Sequence, residues 1–158
     1  MKYSQLIEDW GLKGLKINLG VLEAEFQPND PDRNAAWALY IELLTRITTQ
    51  PLPKAHGDEA TALDSVYSLF AVTRDLLKGP DGRHAIHFAK IAIVVLNQKI
   101  RPFTAKWHKA KLDGAFDDPE ACDAFRTELA DLQDQLRRYA GLLSQLAGVE
   151  DLNNLEDV

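Results

Sequence analysis

The most regular hydrophobic pattern of the chain lies between residues 118 and 148, where apolar positions recur three and four residues apart. These positions are Cys122, Phe125, Leu129, Leu132, Leu136, Tyr139, Leu143 and Leu146. Only an α-helix gathers residues with this spacing onto one side. Asp118 and Pro119 at one end and Gly148 at the other are ordinary helix-boundary residues. The pattern therefore predicts a helix over residues 119–147.

A second run of apolar residues with the same spacing precedes this helix. Its members are Ile86, Ala89, Ile93, Leu96, Ile100, Phe103 and Trp107. We expect a helix over residues 82–108 that packs antiparallel to the first, with Ile93 and Leu96 buried near residues 129–136. Because Pro102 lacks an N–H group and its ring clashes with the preceding turn, a break is expected at this residue.

Two further helices are predicted earlier in the chain. Asp30 as the N-cap and Pro31 in the first turn start a helix over residues 31–48. The inward face of this helix is predicted to comprise Trp37, Tyr40, Ile41, Leu44 and Ile47. The next helix, over residues 58–78, ends at Gly79 and is predicted to bury Leu63, Val66, Tyr67, Phe70 and Leu77. Four helices joined by short loops predict an all-α fold, an up-down-up-down four-helix bundle.

The first 30 residues have a different pattern. Residues 3–10 suit a short helix, and the apolar residues that follow alternate with polar ones on both sides of a turn at residues 18–20. The alternating residues are Leu15, Ile17 and Leu19, then Leu22, Ala24 and Phe26. This predicts a small N-terminal β-hairpin in residues 1–30, packed on a bundle over residues 31–148. Residues 149–158 are predicted to form a mobile acidic tail.

Composition places the chain among single-domain globular proteins. It has 158 residues, of which 46% are hydrophobic and 27% charged. The single cysteine, Cys122, has no partner for an intramolecular disulfide, which favours a reducing compartment. The longest strongly apolar run, residues 91–96, is too short to cross a bilayer, and the N-terminus has no signal-peptide core. We therefore expect a cytoplasmic protein without a membrane-spanning segment.

The net charge of −6 conceals a strong segregation. Residues 1–77 have seven Lys and Arg against eleven Asp and Glu, residues 78–112 have eight against one, and residues 113–158 have three against twelve. One interpretation is that the basic and acidic helices are neighbours, with Lys90, Lys99 or Lys106 approaching carboxylates. The other is an open basic stripe that binds an anionic partner such as RNA. The acidity of the whole chain favours the first interpretation.

No pattern in the chain indicates a metal or cofactor site. His84 and His87 lie three residues apart near Asp81, a spacing that two metal ligands can use. There is no second histidine-bearing helix and no Glu-x-x-His element. We therefore predict no metal and no cofactor. Cys122 is predicted to be a small buried hydrophobe rather than a nucleophile.

The candidate binding residues are three arginines near helix ends and one tryptophan: Arg46, Arg74, Arg101 and Trp107. The arginines could together bind a small anion. The alternative is that they complement helix dipoles or form ion pairs, with Glu42 and Asp64 as possible partners of Arg74. The sequence alone leaves both alternatives open.

Arg101 and His108 are seven residues apart, which is two helical turns, so they share a side if the helix continues past Pro102. The pair resembles the Arg-x4-6-His element of the HEPN family, all-α bundles of similar length that often act as metal-independent ribonucleases, usually as dimers with composite sites. The resemblance implies that Arg101 stabilises charge on the phosphate and that His108 is a general acid or base. Pro102 departs from the family pattern, in which a polar residue usually follows the arginine. The alternative is an exposed arginine at a helix break and a Trp107–His108 pair that caps the bundle.

The segments over residues 35–52 and 95–108 are similar to a group of small, uncharacterised all-α bacterial proteins that accompany multi-gene defence or conflict systems. The resemblance implies a bacterial origin and a partner-dependent role. Because no nucleophile has a base at a defined spacing, we expect a non-enzymatic protein-interaction or regulatory accessory module. The expected partner is a protein, with a second copy of the chain as an alternative and nucleic acid disfavoured. A HEPN-like ribonuclease is the competing hypothesis.

Overall fold

The computed structural model describes residues 1–157, and their regular structure is helical. The elements are α1 (Tyr3–Asp9), α2 (Leu19–Leu22), α3 (Asp30–Leu44), α4 (Glu59–Lys78), α5 (Ile86–Val95), a π-helical segment (Leu96–Ile100), α6 (Arg101–Leu112) and α7 (Pro119–Ala147). Short 3-10 turns at Gly82–His84 and Ala115–Asp117 precede α5 and α7. The predicted all-α class is confirmed.

The predicted N-terminal β-hairpin is wrong, since no β-strand occurs within residues 1–157. The side chain of Asn18 accepts a hydrogen bond from the Gly20 amide and starts α2 at the position predicted for the hairpin turn. The following segment pairs with the N-terminus through one antiparallel bridge between Lys2 and Glu25. An isolated two-stranded hairpin is only marginally stable, and this chain pairs the second segment elsewhere.

Helix α7 has the predicted bounds, residues 119–147, and the predicted boundary residues. Asp118 accepts a hydrogen bond from the Glu120 amide, and Gly148 adopts the left-handed conformation with φ of 72°. All the predicted inward residues are buried except Cys122, which is half-buried. The periodicity of the sequence is sufficient here because no irregularity interrupts the helix.

The main packing partner of α7 is α3 rather than the helix predicted over residues 82–108, which we call the middle helix and which comprises α5, the π-helical segment and α6. The two helices are antiparallel, since Gln133 binds the Ile47 carbonyl at one end while Tyr40 binds Asp151 near the other. The predicted burial of Ile93 against α7 is wrong, because 48% of this residue is exposed.

The π-helical segment explains this error. From the end of this segment onward, the predicted residues Ile100, Phe103 and Trp107 are buried. Upstream of it, buried residues lie one position earlier in the sequence than the residues predicted to be buried. They are Phe88, Ala92 and Val95 instead of Ala89, Ile93 and Leu96. One extra residue in the π turn shifts the phase of the pattern by one. Pro102 lies two residues after this segment and has no N–H group to donate to a helical hydrogen bond, so the predicted irregularity is present. The chain nevertheless continues as a helix to Leu112.

Helix α3 starts one residue earlier than predicted and ends four residues earlier. Its N-cap is Asn29 rather than Asp30, in a reciprocal capping box with Asp32. The buried Asp32 carboxylate also accepts a hydrogen bond from the Phe88 amide, 2.9 Å away, and thereby caps α5. Trp37 and Ile41, two residues predicted to face inward, are exposed.

Three α7 side chains hold the loop between α3 and α4. Arg126, Gln133 and Arg137 donate to carbonyl groups within residues 47–53. The predicted acidic tail begins with contacts to the helices, since Asn153 Nδ2 donates to the Arg137 carbonyl at 3.0 Å. Val158, the last residue of this predicted tail, lies outside the described residues. None of the helices within residues 1–157 has the length and apolar character needed to span a membrane.

Candidate functional site

Helices α4 and α6 are antiparallel and form a shared surface. Tyr67 contacts His108 with ring centroids 4.9 Å apart, and Phe70, one turn further along α4, contacts Arg101 at the start of α6. We call the surface formed by Tyr67, Phe70 and Arg74 of α4 and by Arg101 and His108 of α6 the α4–α6 face.

Two guanidinium groups share one aromatic ring on this face. The Cζ atoms of Arg101 and Arg74 lie 4.6 and 5.6 Å from the centroid of the Phe70 ring. The two cations therefore lie within about 10 Å of each other, on a ring whose residue is only 3% exposed. Both arginines are themselves exposed. Phe70 thus acts as a buried platform for two accessible cations.

Asn97 orients one of these cations. Arg101 donates from Nε and Nη2 to Asn97 Oδ1, at 3.2 and 3.1 Å. Asn97 belongs to the π-helical segment, whose irregular turn immediately precedes Arg101. The helix irregularity therefore contributes directly to the geometry of the face, as π turns often do at functional positions.

Among the described residues, these two cations have no carboxylate partner. Within residues 1–157 neither Arg74 nor Arg101 forms an ion pair. Neither of the two carboxylates proposed as partners of Arg74 pairs with it. Glu42 binds Arg46, and Asp64 forms no ion pair among the described residues. Like charges at this separation repel each other unless an anion lies between them.

His108 is half-buried, and its ring packs nearly perpendicular to the ring of Tyr67, a residue that is 49% exposed. Arg101 and His108 are on the same flank of α6, yet their side chains have different neighbours. Seven residues of helix separate their backbones by roughly 10 Å. Arg101 reaches toward Asn97, away from His108, so the two groups do not converge on one point.

The structure places the other two candidate binding residues away from the α4–α6 face. Arg46 donates to Glu42 and to Ser68 Oγ, at 2.7 and 2.8 Å, on the opposite flank of α4. Trp107 is 4% exposed and lies on the flank of α6 that faces α7. Its Nε1 donates to Glu128 at 2.8 Å, and its ring packs on Phe125. Of the candidates, the structure brings together Arg74, Arg101 and His108.

The expected pairing of a middle-helix lysine with an acidic residue of α7 is confirmed by Lys106, which binds Glu128. Lys99 and Lys90 have different environments. Lys99 donates to the Lys13 carbonyl, and Lys90 lies over the Tyr3 ring with Nζ 5.4 Å from its centroid.

The two closely spaced histidines have separate hydrogen-bond partners. His87 Nδ1 is hydrogen-bonded to the hydroxyl of Tyr3, and its ring stacks on the Tyr3 ring. Burial, together with the Asp32 carboxylate, raises the pKa of Tyr3 to about 12, so the phenol stays protonated at neutral pH. His84 Nε2 instead accepts from Arg83. Among the described residues, no group of three or more His, Cys, Asp or Glu could hold a metal ion.

The surroundings of Cys122 favour the protonated thiol. Its Sγ donates to the Phe116 carbonyl at 3.3 Å, and burial raises the pKa of the thiol. A raised pKa disfavours the thiolate, which is the nucleophilic form.

Sequence reasoning missed three residues of this site: Tyr67, Phe70 and Asn97. The first two are predicted to lie in the core, although Tyr67 is exposed. The sequence spacing could have identified Phe70 and Asn97, because Phe70 precedes Arg74 by four residues and Asn97 precedes Arg101 by four. Side chains four residues apart on one helix are neighbours.

No protein-family model, curated protein or solved structure matches this chain.

Proposed function

We propose that this chain is a non-enzymatic protein-interaction module whose binding surface is the α4–α6 face. The observation that carries the proposal is the pair of exposed guanidiniums on Phe70, Arg74 and Arg101, for which the described residues supply no carboxylate. Arginine and tyrosine are enriched at the energetically important centres of protein interfaces. An anionic segment of a protein partner would complement the two cations.

The scaffold that we propose for this module is an up-down-up-down four-helix bundle. Its four members are α3, α4, the continuous helix formed by α5, the π-helical segment and α6, and α7. Two antiparallel pairs support it: α3 with α7, through Gln133 and Ile47, and α4 with α6, through Tyr67 and His108. Interface residues on helices are held more precisely than residues on loops. Such a scaffold suits recognition of a partner without rearrangement of the face.

An accessory, regulatory role in a bacterial system, with antiviral defence as the candidate setting, is the broader part of the proposal. Its support is the resemblance of residues 35–52 and 95–108 to small proteins that accompany such systems. Residence in the reducing cytoplasm is proposed from the lone Cys122. A second copy of the chain remains the alternative partner.

The test is affinity purification of the tagged full chain from the cells that encode it, at low and at high salt. We expect a protein to co-purify in a fixed ratio, to dissociate as salt rises, and to be lost from the Arg74→Glu, Arg101→Glu double variant. Lys106→Glu, a change on the other flank of α6, is the matched control and should retain the partner. Retention by the double variant, or loss of the partner after nuclease treatment, would contradict the proposal.

The second candidate function is a HEPN-like, metal-independent ribonuclease. One observation favours it: the helix continues past Pro102 to Leu112, so that Arg101 and His108 share a flank. Against it, the two side chains point to different neighbours, Asn97 and Tyr67, and do not converge within one chain. This candidate therefore requires a composite site completed by a second copy.

Incubation of the purified chain with single-stranded RNA and transfer RNA, in the presence of EDTA, tests this candidate. Cleavage that disappears in both Arg101→Ala and His108→Ala, and persists in Lys106→Ala, would establish the enzyme. We expect no cleavage, because Arg101 binds Asn97 and His108 packs on Tyr67, so the two groups do not converge on one reacting phosphate within a single chain.

A further inference from the structure

We infer that Arg74 and Arg101 form a binding site for a phosphate monoester, presented as a phosphorylated side chain by the partner that the α4–α6 face recognises. This inference rests on the proposed function and adds to it the chemistry of the recognised group. It goes beyond charge complementarity because it assigns both guanidiniums to one ligand.

The first argument is the spacing of the two cations. Both Cζ atoms lie within 5.6 Å of the Phe70 ring centroid, so the two guanidiniums are at most about 10 Å apart, and one tetrahedral oxoanion placed between them can contact both. Each guanidinium offers a planar fork of N–H groups that matches two phosphate oxygens. A phosphate monoester has three terminal oxygens, so it can satisfy two forks, whereas one carboxylate has oxygens for only one.

The second argument is charge. A phosphate monoester carries about −1.5 to −2 at neutral pH, which nearly balances two guanidiniums. The nearest acidic residue along the chain, Asp75, does not supply this charge. It lines a groove with Ala38, Glu42 and Val72, between α3 and α4 and away from the α4–α6 face. The two arginines therefore keep their positive charge available for a ligand.

The third argument is preorganisation. Asn97 Oδ1 already holds Arg101 through two hydrogen bonds, and both guanidiniums lie against the buried ring of Phe70. Fixing these side chains in advance lowers the entropy lost on binding. The Nδ2 group of Asn97 has no partner among the described residues and is a further donor beside the site.

The neighbouring exposed Tyr67 extends the surface on the side of His108. Its ring can pack against residues that flank the phosphorylated position. This arrangement favours a phosphate within a peptide over an isolated ion, since flanking side chains add contacts that free phosphate lacks.

The experiment is an NMR titration of the full chain, with the Nε–H resonances of Arg74 and Arg101 as the readout. Five probes are compared: a short phosphoserine peptide, the same peptide with serine, the same peptide with glutamate, adenosine 5′-monophosphate and inorganic phosphate. The variants are Arg74→Gln and Arg101→Gln. Lys106→Gln is the matched control, because this lysine binds Glu128 on the other flank.

We expect the phosphoserine peptide to shift both arginine resonances and to bind at least about tenfold more tightly than the glutamate peptide. Each arginine variant should weaken binding about tenfold or more, and the control less than about twofold. If adenosine 5′-monophosphate bound more tightly than the phosphoserine peptide, the phosphate site would stand, but its ligand would be a nucleotide and the assignment to a phosphorylated side chain would be overturned. Equal binding of the glutamate and phosphoserine peptides, or no shift of either arginine in any titration to millimolar concentration, would overturn the inference.

Phosphatase treatment of the co-purified partner separates this inference from the proposed function. A partner that still binds through Arg74 and Arg101 after dephosphorylation would leave the interaction module intact and refute the phosphate site. A partner that binds the double variant as well as it binds the wild type would refute the proposed function itself.

Discussion

On the flank of α6 that faces α7, Lys106 and Trp107 both bind the carboxylate of Glu128. On the flank that faces α4, by contrast, Arg101 lies on the ring of Phe70 and has no carboxylate partner within residues 1–157. The two flanks have similar residue types, a cation and an aromatic ring. On the first flank the cation and the indole N–H both have a partner within the chain. On the second, Arg74 adds a further positive charge.

The difference indicates different roles for the two flanks. A flank whose cation and indole N–H are satisfied internally stabilises the fold and offers little to a ligand. A flank that holds two like charges near each other stabilises the fold less, since the charges repel, and gains most when an anion binds. Substitutions on the two flanks should therefore separate stability from binding.

The largest effect is expected from Trp107→Ala. This change removes a buried indole that packs on Phe116 and Phe125, and leaves the Glu128 carboxylate without its N–H donor. We expect the free energy of unfolding to fall by about 3–5 kcal/mol, measured by urea denaturation followed by circular dichroism. A loss below about 1 kcal/mol would show that this flank is not structural.

Glu128→Ala should have the next largest effect. It leaves Trp107 Nε1 without an acceptor in a buried environment and removes the partner of Lys106. The expected loss is about 1–3 kcal/mol in the same denaturation experiment. Glu128→Gln keeps an acceptor for the indole and should cost less, so equal losses for the two variants would argue against this explanation.

His108→Ala, on the α4 flank, should lower the free energy of unfolding by less than about 1.5 kcal/mol, because the imidazole packs mainly edge-to-face on the partly exposed ring of Tyr67. Differential scanning calorimetry would measure the change in Tm. A larger destabilisation would place His108 among the residues that hold α4 and α6 together and remove it from the binding surface.

The limits of sequence reasoning are visible in the helices that carry these flanks. The bounds and buried residues of α7 are predictable, because an uninterrupted periodicity and clear caps leave little to tertiary context. Along the middle helix the same reasoning places Ile93 in the core, because a single additional residue in a π turn shifts the phase of everything before it. Pro102 indicates an irregularity but not its type.

The N-terminal hairpin shows a second limit. Alternation of Leu15, Ile17 and Leu19 with polar residues favours an extended segment, yet it does not say what pairs with it. In the structure the Gln98 side chain binds both the N–H and the C=O of Lys16, at 2.7 Å, and takes the place of a second strand. The residues around Lys16 give no indication that a side chain 82 positions away binds this backbone in place of a strand.

The candidate site is predictable only in part. Helix position and spacing identify Arg74, Arg101 and His108, but only the fold shows that two of them share Phe70 and that Arg46 belongs to another flank. Their lack of carboxylate partners within residues 1–157 also depends on tertiary structure. The sequence offers Glu42 and Asp64 as possible partners of Arg74, and only the fold shows that neither pairs with it.

The most direct test of the difference between the two flanks is the salt dependence of stability in the Arg74→Gln, Arg101→Gln double variant. If the two guanidiniums repel each other without a partner, the variant should be within about 0.5 kcal/mol of the wild type at high salt. It should gain stability relative to the wild type as salt is lowered and screening weakens. A loss of more than about 1 kcal/mol at low salt that diminishes as salt is added would instead show that the arginines form stabilising ion pairs, and would contradict the account.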